Sequence, residues 1–279
     1  MIGRMTGILI VTSWLVAMSW LVRRDLWPVW TAEPAPSPLR ADWMAAGGKV
    51  ELQAGVFRDS GRIGTLWTIF HFRREVVERE DLIILEQLLP QLAGFRVQAD
   101  STYTPEGALD SLKVELRVAG HPYPVKLDGE RFPKDFAFTL DAGLGPLPAV
   151  KIPLTDADMV AEVFNPFTTL PKLHVGQTWK MQVINPVAAL TNVGEKFLTL
   201  VARVTRREKT ATNFGVLDCF VVESENVRAW VDAEGIVQIQ EVHLPVASTI
   251  RIIRERFDPD LYNLGVASQR EWELDLSAP

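Results

Sequence analysis

Hydrophobic and polar positions divide the chain into three unlike stretches. From Met5 to Val22 run 18 consecutive residues without a formal charge, MTGILIVTSWLVAMSWLV, bounded by Arg4 and by Arg23-Arg24. Pro34, Pro36 and Pro38 then alternate within TAEPAPSPLRADWMAAGG. Beyond that, short runs rich in Val, Ile, Phe, Thr and Trp are broken by Gly or Pro at intervals of about ten residues, the pattern of strands and turns.

The strand pattern is sharpest between Asp110 and Val118. Apolar residues fall there at Leu112, Val114, Leu116 and Val118, the period of two that a sheet with one covered face requires. The same reading predicts strands over 50–57, 64–72, 82–88, 95–103, 108–118 and 136–140. A second series is predicted over 177–184, 197–207, 215–223, 228–231, 236–243 and 249–256. The stretch EDLIILEQLLPQL, residues 80–92, fits a buried helix as well as a strand. A helix is predicted over 156–164, because Thr155 can cap it, Asp158 completes a capping box and Asn165-Pro166 ends it.

The uncharged N-terminal stretch reads as a membrane anchor. At ~1.5 Å per residue it spans roughly 27 Å as a helix, close to a hydrocarbon core of ~30 Å. A cleaved signal peptide has a shorter apolar run and small residues at its cleavage site, whereas this chain continues into RRDLWPVW. The absence of a following Cys excludes a lipoprotein leader. Trp27 and Trp30 suit the membrane interface, where an indole keeps its ring apolar and its N–H wet. The expected organisation is an anchor over residues 1–24, a Pro-rich linker over 25–48 and an exocytoplasmic β-rich domain over 49–279. The orientation rests on a near tie between Arg4 with the α-amine and Arg23 with Arg24, resolved in favour of a short cytoplasmic N-terminus. The linker is expected to be an extended spacer that lifts the domain off the bilayer.

Two halves, 49–150 and 165–260, show a faint repeat. Gly64-Thr-Leu-Trp67 opens one series and Gly176-Gln-Thr-Trp179 the other. Each later contains an acid-Gly turn, Glu106-Gly107 and Glu234-Gly235.

From Leu173 to Glu255 the order of motifs is LHVGQTWKMQVINP, VTRREKTATNFGVLDCFVVES, RAWVDAEGIVQIQEVHLP and a closing RIIRER. This stretch resembles bacterial exported half-barrel domains of the LolA/LolB-like type. It is also similar to the β-rich region that precedes the catalytic core in some membrane-anchored transglutaminase-like proteins. The resemblance implies a curved antiparallel sheet, a half-barrel or open barrel with one or two short helices, whose concave face is apolar and is covered by a helix or holds a lipid. The chain departs from the pattern in two ways: its anchor is a protein segment, and no transglutaminase core follows.

Composition narrows the function. Without the three arginines flanking the anchor, 26 basic residues face 35 acidic ones, a balance of −9. Such a domain repels phosphate backbones, so no nucleic-acid partner is expected. His71, His121, His174 and His243 share no ligand spacing, and no metal or cofactor is expected. The single Cys219 lies among apolar residues in LDCFVVE and reads as an inert buried thiol. Asp232 and Glu234 read as turn residues, and the Arg203–Lys209 run as a solvated strand end or a headgroup patch. No nucleophile elbow, Walker loop, dinucleotide fingerprint or zincin motif is present, so no enzyme is expected.

The tryptophans carry the remaining signal. Trp67, Trp179 and Trp230 fall on predicted strands, either packing the core or lining an apolar groove that binds a ligand. Two functions stay open: a membrane-anchored exocytoplasmic domain binding a lipid-like or apolar ligand in support of an envelope or export system, and a structural accessory subunit of a membrane complex with a filled core. The inward side-chain volume of the strands distinguishes them.

Overall fold

The computed structural model describes residues 33, 36–37, 39–73, 75–86, 94–143, 145–153, 160–161, 168–184, 197–243 and 249–274, together with Met18. Apart from Met18 the expected anchor lies outside the described residues. Among the described residues no helix is long and apolar enough to cross a membrane.

The protein is mainly β. One open sheet holds fifteen strands: β1 (Gly48–Arg58), β2 (Gly61–Phe72), β3 (Val77–Leu85), β4 (Phe95–Tyr103), β5 (Leu109–Val118), β6 (Val125–Arg131), β7 (Asp135–Asp141), β8 (Val150–Pro153), β9 (Val160–Ala161), β10 (Thr178–Ile184), β11 (Phe197–Thr212), β12 (Gly215–Glu223), β13 (Val227–Val231), β14 (Val237–Val242) and β15 (Ile250–Glu255). The helices are α1 (Ala41–Ala46) and α2 (Pro259–Leu274).

Strand order follows from the connections. Short turns join sequence neighbours into antiparallel pairs, so the chain builds one wing outward from β1 to β8. A second wing runs inward from β9 to β15, and β15 pairs with β1 to join them. That seam runs from Gln53 opposite Glu255 to Arg58 opposite Ile250. The parallel exception is β9 against β10, where Val160 and Ala161 face Gln182 and Val183.

Most predicted strands recur, two of them, 95–103 and 215–223, with the same bounds. The ambiguous 80–92 stretch is strand through Leu85, and residues 87–93 lie outside the described set. The predicted helix over 156–164 is corrected at its centre, where Val160 and Ala161 are a strand; its remaining residues are not described. The strands predicted from the sequence leave out β6, which carries Gly129 at its centre. Gly129 makes room for aromatics, since a Cβ there would lie 2.5 Å from Phe136 Cε1 and 3.0 Å from Phe138. Those two rings stand 4.7 Å apart.

Register assigns the two faces. Leu52, Leu66, Phe70, Val77, Ile83, Val97 and Leu112 share the inner face with Trp179, Ala202, Val222 and Ile252. Three apolar clusters fill it. Phe70, Phe72, Tyr103, Leu112, Phe136 and Phe138 centre the first; Trp179 and a valine-alanine set from β11 to β13 form the second; Val56, Leu66, Ile83 and Phe95 anchor the third.

Helices cover both faces. Residues 39–46, expected in the spacer, instead pack onto the inner face: Leu39 is 5% exposed, and Trp43 and Met44 lie against the first cluster. Trp43 stands 5.9 Å from Phe70, while Arg40, one turn earlier, donates Nη1 to the Glu234 carbonyl at 2.7 Å. This short segment therefore links β2 to the β13–β14 turn, which draws the wings together. Burial rather than reach decides its path.

Helix α2 lies on the outer face. Asp258 caps it, its Oδ1 accepting from the N–H of Asp260 at 3.0 Å and of Leu261 at 3.1 Å. Pro259 occupies the first helical position, where its missing N–H costs nothing. Arg96 donates Nη1 to the Gly265 carbonyl at 2.8 Å, pinning the helix across β4.

Candidate functional site

The three tryptophans do not share a surface. Trp179 points to the inner face opposite Ala202 and is 0% exposed. Trp67 pairs with Gln53, and Trp230 with Ile239, both on the outer face. Four strand steps separate those two, roughly 19 Å along the sheet. Of the two readings of Trp67, Trp179 and Trp230, core packing or a shared groove, the geometry bears on the second: period-two alternation puts Trp179 on the opposite face of the sheet from the other two.

Each indole has its own setting. Trp67 donates Nε1 to Gln53 Oε1 at 2.9 Å beneath α2, and Tyr262 meets it edge-on at 6.1 Å. Trp230 is half-buried, donates Nε1 to Glu208 Oε1 at 2.8 Å and lies under Arg228 at 5.9 Å. Among the described residues Trp179 has no hydrogen-bond partner for its buried Nε1.

Polar chemistry gathers on the inner face beside the seam. On β3, Arg79 and Asp81 interrupt the inward apolar series Val77, Ile83 and Leu85. Arg79 Nε lies 2.7 Å from Asp81 Oδ2, and Nη2 donates to Asp81 Oδ1 at 3.1 Å and to Thr168 Oγ1 at 3.0 Å. Thr68 donates its hydroxyl to the same Asp81 Oδ1. The guanidinium stacks 5.6 Å over Phe70. Residues this deep are ion-paired because an isolated charge would lose its hydration without return.

Across the seam a second acid is engaged as fully. Asp232 Oδ1 accepts from the N–H of Glu234 at 3.0 Å and of Ile236 at 2.9 Å, and Oδ2 accepts from Gln238 Nε2 at 2.6 Å. Thr168 and Leu170 pair with the following turn, Leu170 N–H donating to the Gly235 carbonyl at 2.7 Å and Val237 N–H to the Thr168 carbonyl at 3.3 Å. Gly235 has a positive φ of 84°, and a Cβ there would strike Pro171.

Between these clusters lies a cavity of about 40 Å³, lined by Leu66, Thr68, Thr168, Gln240, Ile252 and Arg254 among others. A void needs roughly 10–15 Å³ to hold a water, so this one has room for a few small molecules. Gln240 is 1% exposed, and among the described residues neither its Oε1 nor its Nε2 has a partner.

Cys219 is fully buried, and burial, with Asp232 as a further influence, pushes its thiol above the usual range. Among the described residues no group of three or more His, Cys, Asp or Glu could hold a metal. Gln240, Arg254 and the Arg79–Asp81 pair were not singled out from the sequence. The available signal was polar residues at inward positions of otherwise apolar alternation, as in Val77, Arg79, Asp81 and Ile83.

No family model matches the chain. No curated protein matches it either. Among solved structures it is similar to the beta-barrel-like protein of domain of unknown function DUF1849 from Brucella abortus, with a TM-score of 0.46 and 6% sequence identity. The match covers 75% of this chain and 96% of that one.

Proposed function

We propose that this chain is a non-enzymatic accessory subunit of a bacterial membrane complex, anchored by a single N-terminal span and presenting an exocytoplasmic β-domain with a filled core. The anchor and its orientation rest on the uncharged stretch 5–22 and its flanking arginines. One observation carries the rest: the inward positions are closed by the chain's own large side chains. Trp179, Phe70, Phe136, Leu112 and Leu170 are all among the most completely buried residues. Drug-sized and lipid-sized ligands occupy pockets of roughly 300–1,000 Å³; the cavity at the seam of the inner face holds only about 40 Å³, and the roomier one, about 380 Å³, lies away from the seam, between the end of α1 and Phe72, Arg73 and Pro105. The competing reading, a domain holding a lipid-like ligand, needs those inward residues to be small or displaced.

The test is lipid retention by the full-length protein. After exchange into a lipid-free detergent, solvent extraction and mass spectrometry should find no lipid class near one molecule per chain. One retained acyl lipid per chain overturns the filled-core reading and restores the ligand-binding one.

A further inference from the structure

We propose that the seam cavity between Gln240 and Arg254 binds a small monovalent anion, such as chloride, nitrate or formate. The inference starts from charge. Arg254 reaches inward from β15 and is half-buried, with its guanidinium 4.8 Å over the Phe214 ring. Its Nε is buried and has no hydrogen-bond partner. Among the described residues no carboxylate lies within ion-pairing distance of it. A buried donor on a half-buried cation is costly unless an acceptor answers it.

The neighbouring acids are occupied. Both oxygens of Asp81 are held by Arg79 and Thr68, and both oxygens of Asp232 by the turn and Gln238. Asp232 and Glu234 act on Arg254 only at a distance, and Arg40 opposes them. Burial draws the Arg254 guanidinium below its ordinary value despite those acids.

The cavity supplies the complementary half. Its lining includes no Asp or Glu, and its one charged residue is Arg254. Gln240, 1% exposed, brings an unpartnered amide whose N–H₂ can donate. Water would satisfy that amide but would leave the guanidinium charge in place, whereas an anion answers both. A volume of about 40 Å³ admits an ion of one to four heavy atoms and excludes sugars, nucleotides and acyl chains.

The experiment measures urea unfolding of the full-length protein at constant ionic strength while sodium chloride replaces sodium gluconate, whose anion is too large to enter. Above the dissociation constant, each tenfold rise in chloride should raise the folded-to-unfolded ratio up to tenfold. Arg254→Gln and Gln240→Leu should abolish that response. An unchanged wild-type midpoint, or an equal response in Arg254→Gln, overturns the site in favour of water alone. If the variants do not fold, crystals of the wild type soaked in bromide decide. An anomalous peak between Gln240 and Arg254 supports the site, and its absence at 0.5 M bromide, roughly the concentration at which millimolar sites saturate, overturns it. Retained lipid on the inner face would leave this test unaffected, because the cavity is too small to be the lipid's place.

Discussion

A methyl group on Gly265 would stand 3.2 Å from Trp67 Cη2 and 3.3 Å from Ile84 Cδ1. The absence of a side chain there lets α2 settle on the outer face and bury Trp67 to 2% exposure. Gly265→Leu should therefore cost ~1–3 kcal/mol by overpacking. Gly265→Ala should stay within about 1 kcal/mol, because helix propensity offsets the tight contact. Urea midpoints together with acrylamide quenching of tryptophan check both, since only the Leu variant should expose Trp67.

Trp179 is a core residue, and its removal should show it. Trp179→Ala is expected to cost ~3–5 kcal/mol. Trp179→Phe should cost less than about 2 kcal/mol, because the indole N–H has no partner to lose. Denaturant midpoints at unchanged slope measure the difference. A loss below 1 kcal/mol for the Ala variant would show that Trp179 lacks a packing shell.

Asp100 sits opposite Glu80 across β3 and β4. Burial first, and that carboxylate second, hold its carboxyl above the ordinary range. The folded state thus binds this proton more tightly than the unfolded chain, where the value is ~3.9. Stability from this group is complete below that value and falls as pH rises through the raised one. Asp100→Asn should accordingly stabilise the protein at pH 7 and leave it unchanged near pH 3. Paired urea titrations at the two pH values decide.

Cys219 is 0% exposed and its thiol is raised by burial. A thiol reagent should react with it only as fast as the domain opens. Labelling rates should rise with urea in step with unfolding, and rapid labelling of the native protein would contradict the burial.

Leu39 and Trp43 make residues 39–46 part of the fold. A fragment beginning at Thr31 should unfold cooperatively, whereas one beginning at Lys49 should lose several kcal/mol, ~1.5–3 for each large side chain uncovered. Thermal melts of the two fragments check this. Equal stability would return the segment to the status of a spacer.

Local pattern was enough to determine much of this protein. Period-two alternation and turn residues placed most of the strands, because a half-covered sheet imposes its period directly on the sequence. The same pattern read Cys219 as buried. Asp258-Pro259 also carries the cap and first-turn proline that begin α2. Tertiary structure decided the rest. Which face a tryptophan occupies depends on a register accumulated over many strand pairs, so Trp67 and Trp179 carry similar local sequence and point opposite ways. Gly129 sits inside a strand because the Phe136 and Phe138 rings, brought to it by pairing, need its space. The juxtaposition of Gln240 and Arg254 exists only because β15 returns to pair with β1, a contact between chain segments about 200 residues apart. Nothing in a local window encodes that contact, since what selects it is the burial gained when the two wings meet.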